Sequence, residues 1–196
     1  MRRILINLFC VFFIIQLNAI SLPELKWAIF HPIAAIKVKK IKRSCDKFYQ
    51  DSSLVFQLDR YENGGKLDAF RHVFYMSAFS QRVKIKKLRK LGIAHEKGNY
   101  KQFLKGRLEH GELPDSLGSV MDLKNNEIAF QLINQTQNLN LQELKEVIIR
   151  LIQNNGVNYI LRDEQGNYLN CSKLKITITQ SWQNQKCLIA PVNSQN

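Results

Sequence analysis

The chain has no CxxC pair, so neither a zinc ribbon nor a thioredoxin-type site is supported. It shows no self-similarity at a period of about 20–50 residues, which excludes a solenoid. The HExxH pattern of zinc proteases is missing too, because Asn99 stands where the second histidine would fall after His95-Glu96. Long apolar runs are equally scarce. The densest, residues 4–15, is cut short by Asn7, Gln16 and Asn18, whereas a spanning helix needs roughly 20 apolar residues. Acidic residues are few, 16 against 29 lysines and arginines, for a formal net charge of +13.

What that first run does form is the pattern of a secretory leader. Met1, Arg2 and Arg3 are a short positive region, residues 4–15 are the apolar region, and Gln16-Leu17-Asn18-Ala19 turns polar and small. The expectation is an exported protein, periplasmic or secreted, with a signal peptide over 1–19. An uncleaved N-terminal membrane anchor is the alternative. Cys10 would leave with the leader and has no small residues before it, so no lipoprotein site is read there. Cys45, Cys171 and Cys187 remain, enough for one disulfide and one free thiol. Cys171 and Cys187 are the expected pair in an oxidising compartment.

The basic residues cluster in two stretches, Lys37 to Lys47 and Arg82 to Lys90. In an exported protein this balance suits anionic lipid, cell-wall polymer or an acidic partner at least as well as nucleic acid. A solvated face would look the same.

The 45% hydrophobic content leaves room for one domain with a real core. We expect a mainly α fold: a compact helical domain with a small C-terminal β-hairpin or short sheet. Ser21 and Pro23 open a first helix that Pro32 interrupts. Residues 33–49 follow as a basic amphipathic helix, making 20–60 a unit of N-terminal basic helices. Residues 61–156 are the motif-bearing helical core. Within it Leu67, Phe70, Phe74, Ala78 and Val83 give a helical stripe over 66–91. Gly92 and Gly98 punctuate the next segment, helical in part over 93–108. Residues 106–118 read as a loop, 119–133 as a helix and 134–140 as a polar link. Asn140 and Glu143 have capping-box spacing and open a helix closed at Gly156. Residues 157–196 read as a β tail on the core, with a hairpin joining 159–162 to 168–169 and a strand over 175–179.

Three motifs put unusual residues into apolar helices. In Asp68-Ala69-Phe70-Arg71-His72 the aspartate and histidine are four apart and share a helix face, so both can bind one cation or one can orient the other. In His95-Glu96 the side chains diverge by about 100°, so one can ligate while the other acts as a base. In Asp122-Leu123-Lys124-Asn125-Asn126 the aspartate shares a face with both asparagines. Asn is a poor helix former, and two in succession suit a buried polar site. Helix-face ion pairs and turn capping are the bland readings of the same residues.

The order His72, His95-Glu96, Asp122 resembles the H…HD…D arrangement of helical HD-type phosphohydrolases, with Glu96 in place of an aspartate. It is similar also to helical zinc phospholipases C. The series DAFRH, AHE, MDLKNN resembles more closely an uncharacterised bacterial domain family, often exported or toxin-associated, whose members carry D-A-F-R-H, H-E and M-D-L-x-N-N motifs. The likeness spans roughly 61–156. It singles out Asp68, Arg71, His72, His95, Glu96, Asp122, Asn125 and Asn126. Phe74-Tyr75 and Ala129 depart from the residues expected there.

The function expected is an exported hydrolase dependent on a divalent metal, zinc, manganese or iron, acting on a phosphoester or phospholipid-like substrate. Asp68, His72, His95 and Asp122 would hold the metal. Glu96 would be the base, and Arg71, Asn125 or Asn126 would stabilise developing charge. The alternatives are an envelope-associated binding module built on a buried polar network, or a secreted effector. His31 and His110 are set aside, one preceding Pro32 and the other in a polar loop.

Overall fold

The computed structural model describes residues 20–177 and 180–192. The leader expected over 1–19 and the end of the strand expected over 175–179 lie outside the described residues. Among the described residues are eight helices and one two-stranded sheet: α1 (Leu22–Phe30), α2 (Pro32–Tyr49), α3 (Ser53–Gln57), α4 (Lys66–Ser80), α5 (Ile85–Phe103), α6 (Ser116–Gln131), α7 (Ile133–Thr136), α8 (Leu141–Gln153), β1 (Tyr159–Ile160) and β2 (Leu188–Ile189). No helix among them is long and apolar enough to cross a membrane.

The N-terminal helices form where their caps place them. Ser21 and Glu24 close a reciprocal capping box, with Pro23 in the first turn of α1. Pro32 then occupies the first turn of α2, where its missing N–H costs nothing. Asn140 and Glu143 cap α8 in the same reciprocal way. The left-handed residue after α8 is Asn155 rather than the expected Gly156.

α4 is the centre. Its apolar residues occur all round, so it is enclosed by α2, α6 and α8, and Phe70 stacks on Phe74 with centroids 5.0 Å apart. Any polar group on such a helix needs a partner. The stripe expected over 66–91 spans a break: α4 ends at Ser80, and α5 starts at Ile85. Gln81 fixes the turn by donating its amide to the carbonyls of Thr136 and Leu139, at 2.7 and 3.1 Å. Val83 is buried in the turn itself, which is why the apolar spacing ran through it unbroken.

Gly92 and Gly98 do not punctuate anything. Both lie inside α5, where neighbouring chain comes too close for a side chain: a Cβ on Gly92 would stand 2.9 Å from Asn126 Nδ2, and one on Gly98 would stand 2.5 Å from Ser21 Oγ. They are the points at which α5 touches α6 and the start of α1.

The tail is sparser than expected. Residues 159–162 and 168–169 do approach, but only through the isolated bridge of Arg162 with Tyr168, and a second isolated bridge joins Leu169 to Lys175. The regular partner of β1 is β2, antiparallel, from the far end of the tail. Cys171 and Cys187 are disulfide-bonded, and Cys45 is free and buried. Two buried polar links tie the tail to α6. Lys186 Nζ reaches the Asp115 carboxylate at 2.6 Å, and Asn125 exchanges hydrogen bonds with the backbone of Asn158.

Candidate metal centre

α4 and α6 bring three side chains capable of holding a metal ion to one point. Asp68 and His72 lie one turn apart on α4, and Asp122 faces them from α6. One ligand atom from each lies within 4.8 Å of the others, and all three residues are buried. His72 Nε2 is 3.2 Å from Asp122 Oδ1 and 3.6 Å from Asp68 Oδ1. Even so, among the described residues neither His72 Nε2 nor Asp122 Oδ1 makes a hydrogen bond.

The orientation of His72 explains why this pair is unusual. Its Nδ1 faces Asn126 Oδ1 at 3.2 Å. With a carbonyl oxygen there, Nδ1 carries the proton, and Nε2 turns its lone pair to the two carboxylates. A lone pair opposite a carboxylate oxygen is stable only with a proton or a cation between them.

The electrostatics agree. Burial holds the His72 imidazole well below its ordinary pKa, helped by the positive charges of Arg71 and His95. Burial pushes Asp122 well up, helped by the carboxylates of Asp68 and Glu96. Asp68 is raised by burial against the opposing pull of Arg71. Its other contacts fix its position: Gly64 N–H donates to Oδ2 at 2.7 Å, and Arg71 Nη2 donates to Oδ1 at 2.6 Å.

His95 and Glu96 diverge as their adjacency requires. Glu96 turns inward. Its Oε2 accepts from Asn99 at 3.2 Å, while Oε1 has no hydrogen bond among the described residues. Burial raises its pKa, opposed by the positive charge of His95. His95 points elsewhere: Nδ1 meets Glu24 at 3.0 Å, Nε2 lies 3.8 Å from Glu109, and its ring centroid is 6.4 Å from that of His72. Burial opposes its protonation, but the hydrogen bond it donates to Glu24 and the charges of Glu96, Glu24 and Glu109 bring its pKa up to about 9. The converging triad is therefore Asp68, His72 and Asp122, with His95 beside it and engaged by carboxylates.

The two asparagines separate in role. Asn126 orients His72. Asn125 is fully buried, accepts from the Asn158 backbone and side chain at 2.9 and 3.2 Å, and donates to its carbonyl at 2.9 Å. Its amide is committed to fixing the tail.

Sequence reasoning set His110 aside and did not mark Glu24, Glu62 or Glu109. The structure brings them to the rim of the triad. Arg71 Nη1 contacts His110 Nε2, and His110 Nδ1 lies 3.3 Å from Glu62. His110 and Gly111 both have positive φ, 47° and 82°, between the bridged pair Glu109 and Glu112. That is the geometry of a two-residue hairpin turn. The Glu109-His110-Gly111-Glu112 string carried that signal in its glycine; no local signal places Glu24 or Glu62 here.

The family described as a domain of unknown function, DUF6973, matches residues 25–157. That is more than half of the chain, and the chain belongs to this family. No curated protein and no solved structure matches it.

Proposed function

We propose that the chain is an exported, metal-dependent hydrolase whose divalent cation is held by Asp68, His72 and Asp122. The observation that carries this is the pair of buried, unbonded atoms, His72 Nε2 and Asp122 Oδ1, facing each other beside Asp68. A buried polar atom without a partner costs about 1–3 kcal/mol, and zinc, manganese or iron would supply the partner for both at once. His72 has the tautomer that a ligand needs, set by Asn126.

Bound there, the cation would supply Lewis acidity and lower the pKa of a water towards about 7. Glu96 is buried, its Oε1 makes no hydrogen bond among the described residues, and burial raises its pKa, which suit a carboxylate that accepts a proton. Arg71, partly exposed and next to the triad, would face the anionic part of a substrate. A phosphoester fits that cation, and so does the chain's net charge of +13. Support for export comes from the pattern of residues 1–19 and from the Cys171–Cys187 disulfide.

The decisive experiment loads the purified protein with zinc, manganese or iron in turn and dialyses it. Bound metal is then measured together with hydrolysis of phosphomonoester, phosphodiester and phospholipid substrates. Stoichiometric metal and activity that both vanish in His72→Asn and Asp122→Asn support the reading. Absence of metal from the unaltered protein overturns it.

A second reading has its own observation. Asp68 is only 2% exposed and Asp122 only 6%, so the group is close to sealed. A polar network, or a cation, that locks α4 to α6 without turnover would be equally buried. Metal uptake with no hydrolysis of any class would favour it.

A further inference from the structure

α1 and α2 meet at His31-Pro32, and the apolar residues on either side of that corner stand in solvent. Ile29, Phe30, Ile33 and Ile36 are 66%, 78%, 70% and 70% exposed, whereas Trp27 and Ala34, on the inner side, are buried. From Ile33 onward, steps of three and four residues pass through Ile36, Lys40, Arg43 and Lys47, so these five side chains line one face of α2, and all are exposed. The opposite face packs on the core through Ala34, Val38, Ile41 and Cys45. One exposed face is therefore apolar at its start and cationic along the rest.

We propose that this corner docks on an anionic lipid bilayer. The four apolar side chains enter the boundary between headgroups and acyl chains, and Lys40, Arg43 and Lys47 lie along the anionic surface. Apolar groups exposed in series mark a docking surface rather than chance. The charge chooses the occupant: three cations continue the apolar prong in a chain whose net charge is +13, and an anionic surface complements them. The prong also decides against a soluble acidic polymer, which offers nothing apolar to receive it. A bilayer does, at the depth an interfacial helix reaches.

The test uses the full chain with phosphatidylcholine vesicles, with and without phosphatidylglycerol, measured by co-sedimentation at low and high salt. The anionic vesicles are expected to bind roughly tenfold or more tightly than the neutral ones, with the difference shrinking at high salt. The variants Phe30→Ser/Ile33→Ser/Ile36→Ser and Lys40→Glu/Arg43→Glu/Lys47→Glu should each lose that binding, at unchanged helical circular dichroism. Equal binding to both vesicle types overturns the proposal. So does retention of binding in either variant, which would assign the attachment to the first nineteen residues. Binding to soluble polyglutamate that matches the vesicles and survives the serine substitutions would overturn it in favour of an acidic polymer. The proposal stands apart from the hydrolase reading, because neither variant touches Asp68, His72 or Asp122.

Discussion

Asn126 holds His72 by Nδ1, at 3.2 Å, and so turns Nε2 to Asp122 on the same helix as Asn126 itself. One helix thus supplies both a carboxylate that faces the imidazole and the group that aims the imidazole at it. On a cation bound there, the asparagine would act only through the ring.

Asn126→Ala is therefore expected to weaken metal binding roughly 10- to 100-fold, the usual effect of losing a group that orients a histidine ligand. Titration calorimetry with zinc or manganese measures it. An affinity unchanged within error would remove Asn126 from the site.

Gly92→Ala tests the same relationship from the other side. A Cβ there would stand 2.9 Å from Asn126 Nδ2, which must move. Alanine favours the helix by about 1 kcal/mol over glycine, so the melting temperature should change little. Metal affinity should fall, and that split between stability and binding is the expected signature.

Asp122→Asn should divide stability from binding in the opposite sense. Burial raises the Asp122 pKa well above its ordinary 3.8. The folded protein then binds more protons than the unfolded chain above that value, and metal-free stability falls as pH rises. Removing the charge should raise the melting temperature of the metal-free protein by a few degrees at neutral pH. The same substitution should abolish stabilisation by added metal. Scanning calorimetry with and without chelator reads both, and a lower melting temperature for the metal-free variant would contradict the electrostatic account.

The pair His95 and Glu24 has its own pH window. His95 is raised from 6.5 to about 9, so its contribution is complete below 6.5 and disappears as pH climbs through about 9. Burial opposes the charge on Glu24, but His95 and Ser21 bring its pKa down from 4.5 to about 2. Its contribution is complete above 4.5 and disappears as pH falls towards about 2. The melting-temperature difference between the unaltered protein and His95→Gln should therefore be greatest between pH 4.5 and 6.5. A difference that stays flat across about pH 3–10 would show that the contact does not form.

Much of this molecule could be read locally. Capping chemistry at Ser21 and Asn140, and the apolar periodicity of α4 and α8, give the helices before any contact is known. The spacing of Asp68 and His72 places them on one face, and Asp122 with its asparagines on another. What could not be read depends on contacts distant in the chain. Gly92 and Gly98 look like breaks until α6 and Ser21 are seen against them. His95 looks like a partner for His72, and only the folded position of Glu24, seventy-one residues earlier, shows what it binds. Val83 kept the helical rhythm through a turn because a buried turn residue is as apolar as a buried helix residue.

Asn125 has a consequence for where this fold ends. The family match stops at residue 157, and the three hydrogen bonds that satisfy Asn125 are all made with residue 158. A protein cut at that limit would enclose an amide with nothing to bind, at a cost of about 1–3 kcal/mol. The stretch that the family model matches thus ends one residue before the partner of Asn125, and the segment that follows supplies a keystone.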